Sequence, residues 1–178
     1  EADKIAELLQ KQSSEVTLLK GSDATCDAVT KAMGNANVLH LSTHGSSSSL
    51  VFAGESGSGS DSDLTQEQVY ERRARSLAKT GQHWLVGVQL AVLSACNTGT
   101  GEISGDGVNG LVRALMASGV RTLVLSLWPV IDKYTEELMV RLYEEMQKGV
   151  SVSVALQRAM AATRADGSTK GLSTQLWG

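Results

Sequence analysis

Cys96 and His44 are the side chains of this chain best placed by type and spacing to do chemistry. Cys96 follows Leu90-Ala91-Val92-Leu93-Ser94-Ala95, an apolar run that reads as a buried parallel strand reaching its end. His44 follows Val38-Leu39-His40-Leu41-Ser42-Thr43, a second such run. In open α/β sheets, ligands bind at the carboxyl ends of the strands. Taken alone, Cys96 reads equally well as a core thiol, because free cysteine is among the most buried residue types. The pairing tips the balance. Cys96 lies 52 positions after His44 with one helix between them, and strands joined by a crossover helix commonly lie side by side or one apart. A histidine beside a thiol can take or share its proton, and the thiolate is the nucleophile.

Attack on a peptide carbonyl creates an oxyanion that needs backbone N–H donors already in place. Gly45 lets a substrate approach its N–H, and the N–H of Cys96 is the natural second donor. Gly45 also suits a tight turn, and the two roles are compatible.

The rest of the chain must position these groups. Ala2 to Gln10 reads as a short amphipathic helix, and Val16 to Leu19 as a strand. Ser22 or Asp23 caps a helix to about Met33, with Val29 and Met33 inward and Cys26 as a structural thiol in its first turn. His40, inside its strand, reads as a hydrogen-bonded core histidine. Leu50 to Ala53 reads as an edge strand or hairpin arm. Residues 54–63 have linker composition, a flexible loop or an engineered linker. Thr65-x-x-Gln68 is a capping box that opens a helix to about Lys79. His83 falls in the following loop and reads as a surface residue. Val108 to Ser118 reads as a helix closed by Gly119, with Leu111, Val112, Leu115 and Met116 on one face. Arg121 to Leu127 is a further buried strand. Asp132 caps a long helix with Glu137–Arg141 and Glu144–Lys148 pairs on its wet side. Ser151 caps a last helix carrying Val154, Leu156 and Met160, and Leu176-Trp177 starts a last strand. Alternating strands and helices imply βαβ units and a mostly parallel sheet covered on both faces.

Composition narrows the function. The 178 residues suffice for one domain with a substantial core. A net charge of −3 gives no basic surface for nucleic acid, and no apolar run is long enough for a membrane helix. Two cysteines, Cys26 and Cys96, are too few for a disulfide scaffold, and three histidines show no zinc spacing. These features point to a reduced, intracellular and cytoplasmic setting. The acidic start at Glu1 suggests a domain cut from a longer protein.

Four blocks carry a resemblance: Val38 to Gly45, Leu93 to Gly99, Gly105-Asp106-Gly107-Val108, and Ser126-Leu127-Trp128-Pro129-Val130. Together they resemble the signature blocks of the CHAT domain, a caspase-like cysteine peptidase domain related to separase, gingipains and metacaspases. The similarity runs in order through nearly the whole chain. It implies a caspase–haemoglobinase-like three-layer α/β sandwich and a dyad of His44 and Cys96. It implies a protein or peptide substrate and, as partner, a helical-repeat region of the same polypeptide or a regulatory protein. Two segments depart from the pattern: Val130-Ile131 before Asp132, and residues 54–63.

Related peptidases that cut after basic residues bury an acid in the pocket for that residue. Asp106 and Asp132 are the candidates here, although both equally suit a helix N-terminus. Ser94 and Asn97 flank the nucleophile and are candidate pocket residues. The resulting expectation is a cysteine endopeptidase that needs no cofactor. A latent or non-catalytic interaction domain of the same fold is the alternative. A phosphate binder is disfavoured, because the glycines from Gly99 to Gly107 lack both GxxxxGK[ST] and a GxGxxG at the strand exit.

Overall fold

A computed structural model describes residues 1–12, 14–45, 49–54, 62–94, 103–104, 107–108, 110–126 and 132–165. The chain divides into two compact units, Leu19–Trp128 and Glu1–Leu18 with Pro129–Gly178.

The larger unit is built on three parallel strands in the order β1 (Val38–Ser42), β5 (Leu90–Ser94), β8 (Leu123–Leu125). β5 is central because its first four residues are apolar and all are buried. Alternation splits the sheet into two faces. Leu39, Leu41, Ala91, Leu93, Leu123 and Leu125 join the main core. α2 (Cys26–Met33) contributes Val29 and Met33 to it, α3 (Gln66–Thr80) contributes Val69, and α4 (Leu111–Ala117) contributes Leu111, Ala114 and Leu115. Leu90, Val92 and Val124 alternate to the opposite face and are buried as well. The fold is α/β with a parallel sheet, as the sequence implies.

A second sheet branches from the end of β1. It runs in the order β2 (His44–Gly45), β3 (Ser49–Val51), β4 (Asp63–Thr65), all antiparallel. Leu50 and Leu64 face each other across it with no exposed surface and anchor it in the core. β4 runs directly into α3 through the expected capping box. The Thr65 hydroxyl accepts from the Gln68 N–H at 3.3 Å, and the Gln68 side chain accepts from the Thr65 N–H at 3.2 Å. Thr65→Ala should therefore cost about 1 kcal/mol in denaturant unfolding, and a loss near zero would show that packing alone fixes the start of α3.

The second unit holds α1 (Ala2–Gln10), α5 (Asp132–Met146) and α6 (Val152–Ala165), with both α1 and α6 packed on α5. The fully covered stripe of α6 is Ala155, Ala159 and Thr163. The expected Val154, Leu156 and Met160 are only half-buried. Small residues at this i, i+4, i+8 spacing let a neighbouring helix approach until they are wholly enclosed. At the α5–α6 corner, Glu145 takes both Lys148 and Arg158, so the expected Glu144–Lys148 pair gives way to Glu145–Lys148. Lys148 first, and Arg158 with it, hold the Glu145 carboxyl below its ordinary range. A carboxylate depressed on folding stabilises above its unfolded pKa and loses that contribution as pH falls. Thermal melts from about pH 6 to pH 3 should show a flatter acid limb in Glu145→Gln than in the parent. Identical limbs would remove the corner from the account.

Four further expectations change. Residues 14–20 form no strand: the short Val16–Leu19 run finds no ladder partner, and Leu18 is exposed while Leu19 packs on the core. The cap of α2 is Thr25, whose hydroxyl accepts from the Ala28 N–H at 3.2 Å, because Gly21–Asp23 coil into a 3-10 turn first. α4 starts at Leu111, since Gly110 just before it has φ +101°, outside helical backbone. Met116, expected on the inward face, is exposed. His83 is half-buried, and its Nδ1 accepts from Arg73 Nε at 3.3 Å. Most of residues 54–63, and Leu176-Trp177, lie outside the described residues. No helix among the described residues is long and apolar enough to cross a membrane.

Candidate active site

β1 and β5 lie side by side, and their parallel register pairs Val38 with Leu90 through to Ser42 with Ser94. Every pair in that register differs by 52 positions, the same separation as His44 and Cys96. His44 therefore lies two residues beyond Ser42, and along the sequence Cys96 lies two residues beyond its partner Ser94. Adjacent strands run roughly 4.8 Å apart. β1 and β5 thus end level with each other, at Ser42 and Ser94, as neighbouring parallel strands.

The second sheet carries His44. His44 pairs with Val51 and Gly45 with Leu50. Directly opposed residues share a sheet face. Leu50 is fully buried, so the Gly45 side of β2 faces the core; His44 lies on the outer face with Val51 and is exposed. Val51 in turn pairs with Asp63, so His44, Val51 and Asp63 form one row across the outer face. The hairpin is moored to the head of α2. The Ala53 N–H donates to the Ala24 carbonyl at 2.9 Å, and the Phe52 N–H to the Ser62 carbonyl at 2.7 Å. Thr25 bridges Ala53, and the Cys26 thiol donates to the Asp63 carbonyl at 3.8 Å.

Of the sequence candidates, the sheet edge gathers His44, Gly45 and Ser94, the half-buried last residue of β5. Cys96, Asn97 and Asp106 lie outside the described residues. Asp132 is the first residue of α5 and belongs to the other unit. Between β5 and α4 the described residues form a hairpin of β6 (Ile103–Ser104) and β7 (Gly107–Val108).

The other thiol, Cys26, is built for packing. It is 5% exposed within the main core, and burial pushes its pKa up, with the nearby Arg72 opposing that shift. A raised pKa lowers the thiolate fraction at neutral pH, so Cys26 is a poor nucleophile. The sequence reading missed how Leu50 and Val51 share the work of holding His44. The sequence carries no signal for it, because Leu50 to Ala53 are uniformly apolar and the alternation shows only in their burial.

A family model described as the CHAT domain matches residues 1–178. The mouse protein named Tetratricopeptide repeat protein 28 is 28% identical over 186 aligned residues, covering 90% of this chain and 7% of that protein. The human protein of the same name is 33% identical over 73 residues, covering 41% of this chain and 3% of that protein. The chain thus spans a small part of the curated relatives it matches.

Proposed function

The chain belongs to the caspase-like CHAT-domain family over its whole length, and on that footing we propose that it is a cysteine endopeptidase with Cys96 as nucleophile and His44 as proton carrier. One observation carries the reading: the β1–β5 register has the same 52-residue offset as the His44–Cys96 pair. In sequence, His44 and Cys96 each follow by two residues the paired ends, Ser42 and Ser94, of adjacent parallel strands, and this supports their assignment to one site.

The chemistry proceeds in two halves. The Cys96 Sγ thiolate attacks the scissile carbonyl carbon, and the carbonyl oxygen becomes an oxyanion held by the N–H groups of Gly45 and Cys96. As the C–N bond breaks, the His44 imidazolium gives its proton to the leaving amine, leaving a thioester on Cys96. Water then loses a proton to His44 and attacks the thioester. The C–S bond breaks, the acid departs, and the thiolate–imidazolium pair is restored. The exposed position of His44 suits this exchange with substrate and water. Ser94, Asn97 and Asp106 remain the proposed contributors to substrate choice, while Asp132 belongs to the other unit; the proposed site uses no cofactor.

The names of the relatives place tetratricopeptide repeats in those proteins. A helical-repeat region in the same polypeptide is accordingly the proposed partner of this domain. The test is incubation of the chain with a diverse peptide library, read by mass spectrometry. The proposal expects new termini that vanish in Cys96→Ala; a product set identical in parent and variant would exclude it.

A further inference from the structure

The geometry points to Thr43 as the residue that positions His44 at the switch between the two sheets. Thr43 is the single residue between β1 and β2: Ser42 ends the parallel ladder with β5, and His44 opens the antiparallel ladder with β3. At this junction the chain leaves one sheet and must enter another, a point where backbone pairing alone fixes little. The Thr43 hydroxyl donates to the carbonyl of Val51. Val51 is the very residue that stands opposite His44. The side chain thus reaches across to the strand that carries the histidine's partner and closes the ladder at its open end.

The restraint is short and stiff. β2 has only two residues, so β2 itself gives little pairing to hold His44 in place. Val51 is held independently, because Leu50 beside it is fully buried and Phe52 after it is bonded to Ser62 at 2.7 Å. The β-branched Thr43 has restricted χ1 freedom, which makes its hydroxyl a defined tether rather than a loose one. Loss of the hydroxyl frees the β1–β2 joint to pivot and carries the imidazole with it. The inference rests on the peptidase reading where it concerns turnover, but the placement of His44 can be measured without any turnover.

The experiment compares the parent with Thr43→Val, which keeps the shape and removes the donor, and Thr43→Ser, which keeps the donor. Two readouts are taken: the imidazole ¹H–¹⁵N signals of His44 across pH, and kcat and KM on a peptide that the parent cleaves. Thr43→Val is expected to broaden or shift the His44 signals and lower kcat roughly 10- to 100-fold with KM little changed, since small misplacements of a catalytic group cost on that order. Thr43→Ser is expected to restore both. Unchanged His44 signals in Thr43→Val overturn the inference, and so does a Thr43→Ser variant as perturbed as Thr43→Val. If the parent shows no Cys96-dependent cleavage, the peptidase reading falls and the imidazole signals alone decide the role of Thr43.

Discussion

Replacing Cys96 with alanine is expected to lower kcat/KM on any peptide substrate by roughly 10,000-fold or more, and His44→Ala by at least about 1,000-fold. The size follows from the division of labour. Without the sulfur there is no thioester, and the oxyanion donors alone supply only background catalysis. Without the imidazole the amine must leave unprotonated, although a cysteine retains more intrinsic nucleophilicity than a serine in the same position. The two losses should be far from additive, because each residue acts only through the other. The double variant should be no slower than Cys96→Ala. Cys26→Ala should leave kcat/KM within about twofold, because that thiol lies in the core with its pKa raised and its proton given to the Asp63 carbonyl. A Cys26→Ala variant as inactive as Cys96→Ala would assign the chemistry to the wrong cysteine.

The second large effect is structural and sits at the end of α4. Gly119 has φ +116°, a region that side-chain-bearing residues rarely enter. A Cβ built there would lie 2.8 Å from the Val86 backbone nitrogen and 2.9 Å from both the Leu85 carbonyl carbon and the Val86 Cα. These are backbone atoms, so no side chain can swing aside. The segment they belong to is fixed: Leu85 is fully buried and its N–H donates to the Ser118 carbonyl at 2.8 Å. Gly119→Ala therefore combines a strained backbone with a forced separation of the α4 terminus from the Leu85–Val86 turn. The expected cost is about 3–5 kcal/mol in denaturant unfolding. A cost under about 1 kcal/mol would mean that the turn is free to move away. Val120, buried immediately after it, leads into β8, so the strain is passed to the sheet that carries β5.

Local signals in the sequence were decisive where one residue's chemistry sets the structure. The Thr65–Gln68 box opens α3 as its side chains require, and the unbroken apolar run of β5 becomes the central strand because only such a run survives burial on both faces. Partner-dependent features were less legible. Val16–Leu19 has strand composition but no ladder to join, and composition cannot report a missing neighbour. Gly110 fixes the start of α4 three residues later than periodicity suggests, and Met116, counted with the inward face, is exposed. In α6 the apolar count favours Val154, Leu156 and Met160, whereas enclosure depends on the close approach of α5 and selects the small residues instead. At the candidate site, His44 was visible from its strand-end position. The sheet that carries it was not, because β2 is two residues long and its support comes from Leu50 and Val51 across the hairpin.

Covalent labelling tests the central claim most directly. The chain is treated near neutral pH with a peptidyl acyloxymethyl ketone, and the adduct is located by peptide mapping. The account predicts a single adduct on Cys96, formed far more slowly in His44→Ala and unaffected in Cys26→Ala. Absence of an adduct on Cys96, or labelling of Cys96 at the same rate with and without His44, would contradict the dyad and leave a caspase-like domain that binds without cutting.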